Sequence, residues 1–215
     1  MMNLVAAVPI KPLAEGKSRL TDVLTDQQRS LLNEQLFVHT LEVLKSFRRI
    51  ETVLVVSSDR RALDQAPRYG VQAIAERAPA GLNGSLFQAQ EVSIAAGAAG
   101  FLVLPVDLPG LAIEDLEEMC LHLDEGPIVV IAPDRHRRGT NALLLSPPGV
   151  IEFQFGPESF ELHCSSAQQA GARLVVVETW GLALDLDTTE DLSVAAMTLH
   201  DRESIMILET LRGYP

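Results

Sequence analysis

The sequence predicts an α/β domain, a mostly parallel sheet with helices on both faces. Three observations carry this expectation. Apolar runs of strand length alternate with helix-period segments along the chain. The segments between strands are long enough to hold crossover helices, and βαβ units of that kind build parallel sheets. The runs TVLVVS (52–57) and FLVLPV (101–106) are continuously apolar, as in strands covered on both faces. No repeat period and no long linker divides the 215 residues, so a single domain spanning 1–215 is expected, with 202–215 as a helical tail.

In order, residues 3–8 read as a first strand and 11–19 as a polar turn. Residues 25–47 read as a long helix. Thr25 and Gln28 have capping-box spacing there, and Leu32, Leu36, Val43, Leu44 and Phe47 mark an apolar face. Strands follow at 52–57 and 71–75, separated by a short helix over 59–69 that breaks near Pro67. Residues 83–98 are helical, 100–106 a strand and 114–123 a helix. Strands at 128–132 and 141–146 flank the basic loop Arg135-His136-Arg137-Arg138. Residues 157–170 are helical, and 173–178 and 182–186 are extended. Helices over 188–199 and 203–211 close the chain. The last of these, with Ile205, Met206, Ile207, Leu208 and Leu211, either covers the core or meets a second copy in a homodimer.

Charge narrows the function. Seventeen basic against 29 acidic residues leave a net charge of −12. Such a surface disfavours nucleic acid and anionic membranes, which need a basic face, yet a metal ion and a few lysines can reverse the field locally. The apolar N-terminus runs straight into Lys11, as in a first strand rather than a leader. No apolar run approaches the roughly 18 residues of a membrane span. Cys120 and Cys164 form no CxxC pair, and both are expected to be small buried hydrophobes in a reduced, cytoplasmic protein.

Ligands of such sheets bind beyond the carboxyl ends of the strands, so the polar residues there matter most. After the first strand stands PIKPLAEGKSRL. Its Gly16-Lys17-Ser18 has the tail of a Walker A loop, but Lys11 stands where that motif needs glycine. Lys11, Lys17 and Arg19 either hold phosphates or are solvated. Asp107, in LPVDLP, is a turn residue, a cap or a metal ligand. In LALDLDT, strand periodicity puts Asp185 and Asp187 on one side and Leu184 and Leu186 in the core. Two parallel carboxylates repel unless a cation lies between them. Three carboxylates at one sheet edge suit Mg²⁺, with capping of the helix near Thr188 as the other role for Asp187. Asn83, in Leu82-Asn83-Gly84-Ser85, either caps a helix or reads a base edge or ribose. Gly156-Pro157-Glu158-Ser159 is an ordinary helix start or an anion site. The basic loop is solvated or helps a phosphate. The five histidines lack metal-ligand spacing and are expected on the surface or satisfied in the interior. There is no GxSxG elbow and no GxGxxG fingerprint.

Taken together, VPIKPLAEGKSRL, LPVDLP, GTNALLLSP, FGPESF and LALDLDT resemble the guanylyltransferases that make the side chain of the deazaflavin coenzyme F-420. These join GTP to phosphoenolpyruvate or 2-phospho-L-lactate and release pyrophosphate. The resemblance runs from about Leu4 to Asp191. It implies a Rossmann-like sheet of the nucleotide-diphospho-sugar transferase (GT-A-like) type. It also implies roles. Lys11, Lys17, Arg19, Asn83 and Ser85 lie on the GTP side. Thr140, Gly156 and Ser159 hold the acceptor acid. Asp107, Asp185 and Asp187 bind Mg²⁺, and Lys17 and Asp107 are the catalytic pair. Related sugar and molybdopterin nucleotidyltransferases carry several glycines after the first strand, whereas Gly16 stands alone here, which favours the F-420 branch. Two alternatives stay open. One is a nucleotidyltransferase of the same fold using CTP or a sugar phosphate. The other is a catalytically silent nucleotide-binding regulator.

Overall fold

The computed structural model describes residues 3–77, 81–123 and 126–198. The expected helix over 203–211 and the tail from 202 lie outside the described residues. Seven strands form one sheet: β1 (Leu4–Pro9), β2 (Ile50–Ser57), β3 (Gln72–Ala75), β4 (Gly100–Val103), β5 (Ile128–Pro133), β6 (Thr140–Ser146) and β7 (Arg173–Val176). Their spatial order is β3-β2-β1-β4-β6-β5-β7. All neighbouring pairs are parallel except those of β6, which runs against both β4 and β5. Residues 134–139 between β5 and β6 are too few for a crossover helix, so that connection must be a hairpin.

Among the described residues seven α-helices accompany the sheet: α1 (Asp26–Ser46), α2 (Arg60–Gln65), α3 (Gly81–Ala95), α4 (Ile113–Leu121), α5 (Ser159–Gln169), α6 (Trp180–Ala183) and α7 (Thr189–Thr198). Strand alternation divides the core between the two faces. Leu4, Ala6 and Val8 of β1 pack with Phe37, Leu41 and Leu44 of α1 and with Leu116 and Met119 of α4. Val5 and Ala7 pack on the other face with Leu86 and Ala89 of α3 and Phe160 and Ala167 of α5. α1 starts at the expected box: Gln28 N–H donates to Thr25 Oγ1 at 3.3 Å, and Thr25 N–H donates to Gln28 Oε1 at 2.8 Å. A third cluster joins Leu20 and Leu24 to Leu32 and Leu36 of α1 and to Leu184, Leu186 and Ala195. It locks the segment after β1 to the acidic segment before α7.

Four of the differences from the expected boundaries have a local reason. β4 stops at Val103 because Pro105 has no N–H for the ladder. α3 begins at Gly81, so Asn83 lies inside the first turn rather than capping it. α5 begins at Ser159, because Gly156 (φ 141°) and Glu158 (φ 56°) hold the chain out of helix beyond Pro157. Residues 180–183 form one helical turn, and the extended run starts only at Leu184. Cys164 is half-buried rather than buried, and both cysteines are free. No helix among the described residues is long and apolar enough to cross a membrane.

The α6 turn tucks tightly under the start of α4. A Cβ on Gly181 would lie 2.1 Å from Asp115 Oδ2 and 2.5 Å from the Gly110 carbonyl. Asp115 cannot simply swing away, since it accepts the Ala112 N–H at 2.8 Å. Gly181→Ala is therefore expected to destabilise the fold by about 2 kcal/mol, as overpacking against backbone does. Urea unfolding of the variant and the parent measures this directly.

Candidate active site

The loop after β1 is shaped by bonds from three other elements. Ser57 Oγ donates to the Ile10 carbonyl at 2.8 Å, and Asp59 Oδ2 accepts the Leu13 N–H at 2.9 Å. Asn33 Nδ2 donates to the Leu13 carbonyl at 2.7 Å and packs so close to Gly16 that a Cβ there would lie 2.5 Å from it. Only glycine fits at that point. The next residue, Lys17, takes a left-handed conformation (φ 58°) and opens the 3-10 turn Ser18–Leu20. A non-glycine in this region is strained, and such strain collects at functional positions. Here it turns the lysine inward, and its side chain is only 2% exposed.

Two carboxylates meet the buried ammonium. Lys17 Nζ donates to Asp107 Oδ1 and lies 3.4 Å from Asp187 Oδ1. Burial works against the lysine's charge, but Asp107 and then Asp187 outweigh it, and the net direction of its pKa is up. Arg19 is 73% exposed, with Nη1 3.8 Å from Asp187 Oδ2. Lys11 is exposed. Lys17 and Arg19 thus point at the acidic cluster, while Lys11 lies in solvent.

The LDLDT segment meets its expected alternation, with Leu184 and Leu186 in the third core cluster. Leu186 N–H donates to the Asp107 carbonyl at 2.9 Å, which lays the segment beside the end of β4. Asn141 Nδ2 donates to the Leu182 carbonyl at 2.9 Å and approaches Asp185 Oδ1 at 3.4 Å. Burial first, and the Asp187 charge second, push the Asp185 carboxyl up to about 6. The cap of α7 is Thr188 rather than Asp187: Thr188 Oγ1 accepts the Asp191 N–H at 3.3 Å. Asp191 Oδ2 accepts the N–H groups of Asp187 at 3.1 Å and Thr188 at 2.7 Å. Its other oxygen is 2.7 Å from Arg135 Nη2. Arg135 of the basic loop is therefore neither solvated nor turned to a ligand. It ties the β5–β6 hairpin to the acidic segment. The T-x-x-D spacing of Thr188 and Asp191 is the sequence signal for this clamp.

The donor set suits a hard divalent cation in its chemistry, since all three candidates are carboxylates. One cation already reaches two of them, because the Lys17 ammonium bridges Asp107 and Asp187. Among the described residues no three ligands stand together as a metal cage. The carboxylates of Asp107 and Asp187 fit a shared cation, and the Lys17 ammonium fills that place here.

The acceptor-side candidates gather at the start of β6 and α5. Thr140 Oγ1 is 3.0 Å from His163 Nδ1, and His163 Nε2 accepts the Gln154 N–H at 2.9 Å. Ser159 is buried one turn before His163, on the same face of α5. A Cβ on Gly156 would meet nothing within 4 Å, so the backbone there borders open space. On the expected nucleotide side, both side chains are engaged by protein. Asn83 exchanges two bonds with the Phe155 backbone, at 3.1 and 2.8 Å, and Ser85 Oγ donates to the Gly81 carbonyl at 2.9 Å. Asn83 thereby ties α3 to the loop that carries Gly156. His163 is the residue that sequence reasoning passed over. Its position four residues beyond Ser159 was the available signal.

A family model described as "Guanylyl transferase CofC like" matches residues 4–212. The chain belongs to this guanylyltransferase family. A phosphoenolpyruvate guanylyltransferase of Rubrobacter xylanophilus is 38% identical over 89% of this chain and 93% of its own length. A 2-phospho-L-lactate guanylyltransferase of Methanothermobacter thermautotrophicus is 30% identical over 89% of this chain and 83% of its own. Among solved structures, a Desulfovibrio desulfuricans protein proposed as a nucleotide-diphospho-sugar transferase superposes with a TM-score of 0.75 at 16% identity. It covers 100% of this chain and 99% of its own, and it establishes the fold alone.

Two outcomes follow from the site's scaffold. Asp191→Ala leaves the Asp187 and Thr188 backbone N–H groups without their carboxylate and Arg135 with only the exposed Glu190, 3.1 Å from its Nη2. It should cost about 2–4 kcal/mol in urea unfolding, and a loss within about 0.5 kcal/mol would show that the clamp does not hold. The second concerns His163. Burial pushes its imidazole down from 6.5 to about 4. The unfolded chain therefore takes the proton first, and the neutral ring's contribution is complete above about 6.5 and lost as pH falls to about 4. The stability gap between the parent and His163→Phe should narrow over that window by on the order of 2–3 kcal/mol. A gap independent of pH would refute the buried neutral ring.

Proposed function

We propose that the protein transfers the guanylyl group of GTP to the phosphate of a three-carbon phospho-acid, with release of pyrophosphate. The observation that carries this reading is the meeting of Lys17, Arg19, Asp107 and Asp187 at the carboxyl edge of the sheet, in a chain of the guanylyltransferase family. Phosphoenolpyruvate is the favoured acceptor, because the relative named for it is 38% identical and the one named for 2-phospho-L-lactate is 30% identical. The product is then an activated guanosine-diphospho acid of the kind that feeds coenzyme F-420 synthesis.

The chemistry asks little of acids and bases. An oxygen of the acceptor phosphate, anionic near neutral pH, attacks the α-phosphorus of GTP. The bond from the α-phosphorus to the bridging oxygen of the β-phosphate breaks, and pyrophosphate departs with that electron pair. No proton has to be removed from the nucleophile. The obstacle is repulsion between two anions and the charge growing on the leaving group. Lys17 and Arg19 lie where they can offset both, Lys17 by turning from Asp107 and Asp187 to the triphosphate. Mg²⁺ held by Asp107 and Asp187, with Asp185 beside them, would supply Lewis-acid stabilisation of the same charge. Thr140, Ser159 and the Gly156 backbone hold the acceptor for in-line attack. GTP and the acid reach these residues from solvent, in keeping with a cytoplasmic enzyme whose cysteines are unpaired.

Pyrophosphate release tests this. GTP, ATP and CTP are each paired with phosphoenolpyruvate and 2-phospho-L-lactate in the presence of Mg²⁺, and products are identified by mass. Turnover is expected with GTP and phosphoenolpyruvate. Asp187→Asn and Lys17→Ala should each lower kcat/KM by about a hundredfold or more, as loss of one charge-stabilising group does, while circular dichroism stays unchanged. Equal turnover with CTP, or parental rates in either variant, would sink the assignment.

A further inference from the structure

The tautomer of His163 is decided by its neighbours. A backbone amide only donates, so the nitrogen facing Gln154 N–H, Nε2, carries the lone pair, and the ring hydrogen sits on Nδ1. Nδ1–H therefore donates to Thr140 Oγ1, 3.0 Å away. A threonine hydroxyl is ordinarily free to give or take a bond. This one takes the ring N–H on one lone pair, so its own hydrogen points away from the imidazole, and among the described residues no protein acceptor receives it. Thr140 opens β6 at the carboxyl edge of the sheet, where Gly156 borders open space.

We infer that His163 is a positioning residue that turns the Thr140 hydroxyl hydrogen away from the ring, as a donor to an anionic oxygen of the acceptor acid. The arrangement favours an ionised carboxylate or phosphate, which accepts, over an amide N–H at the same point. The inference rests on the reading of Thr140 as an acceptor-side residue. Three contacts keep the imidazole in place. The Phe155 ring stands edge-on at 5.0 Å. Gln154 is held to α5 by its Nε2, which donates to Ser166 Oγ at 2.6 Å. The ring itself is fully buried. Burial also keeps it neutral near pH 7, since its pKa is pushed down to about 4. A protonated ring would set a donor against the Gln154 N–H.

Steady-state kinetics of the full chain with GTP and phosphoenolpyruvate test the inference through a double-mutant cycle. Thr140→Val should raise the KM of the acid by about tenfold or more, the worth of one hydrogen bond to a charged group. His163→Phe should raise it by a similar factor, with the KM of GTP within about twofold of the parent. In the Thr140→Val background, His163→Phe should add almost nothing, because without the Thr140 hydroxyl the imidazole has no donor to orient. His163→Asn, which keeps an N–H near the Nδ1 position, should recover part of the loss. Full additivity in the double variant overturns the positioning role while leaving Thr140 on the acceptor side. Parental behaviour of Thr140→Val overturns the acceptor reading itself, and this inference with it. A second measurement does not depend on the variants' folding. Long-range proton–nitrogen correlation on the ¹⁵N-histidine-labelled parent should report the Nδ1–H tautomer near pH 7, and an Nε2–H tautomer would refute the inference.

Discussion

A buried ammonium ion between two carboxylates is the contact on which the site depends. Lys17 brings one positive charge to the point where Asp107 and Asp187 meet. Removed from water without these partners, the ammonium would lose its proton. Without the ammonium, the two carboxylates would repel. Each therefore holds the others, and they come from places 90 and 170 residues away from the lysine. The backbone strain at Lys17 is the local cost, and the fit of Gly16 against Asn33 sets its direction. The same contact holds a cation at the edge where the proposed reaction would bring polyphosphate charge.

The topology explains why these groups share one edge. β1 and β4 are parallel neighbours, so the Lys17 loop and Asp107 both leave the sheet at its carboxyl end. β6 runs the opposite way, and its first residue, Thr140, arrives at that same end. Asn141 then reaches across to Leu182 and Asp185, and Arg135 reaches from the hairpin to Asp191. The antiparallel strand is thus what brings Thr140 beside the acidic segment. A purely parallel sheet would begin that strand at the far edge.

Much of this was legible in local patterns. The capping box at Thr25 and Gln28, the buried runs of β2 and β4, and the alternation of leucine and aspartate from Leu184 to Asp187 all follow from side-chain periodicity or spacing. Boundaries were lost where a neighbour overruled the pattern. Trp180–Ala183 closes a helical turn under α4 although Leu182 and Ala183 read as extended, and Gly156 and Glu158 delay α5. Asn83, a plausible cap on its own, instead pairs with the Phe155 backbone 72 residues away. The buried histidine at 163 looked like the other four, because its spacing from Ser159 marks a shared helix face but not the convergence of Thr140 and Gln154 on its two nitrogens.

By itself, then, the sequence determined the elements and their faces. Helix and strand periods, caps and breakers act over a few residues and can be read in order. It also determined the inventory of charged groups after each strand. Only the tertiary structure decided which of those groups meet. It put Lys17 and not Lys11 between the aspartates, gave the helix cap to Thr188 and not Asp187, and turned Arg135 to Asp191. The physical reason is that charge pairing and hydrogen-bond direction depend on through-space distances of 3–4 Å. Those distances are set by strand order and packing between segments far apart in the chain.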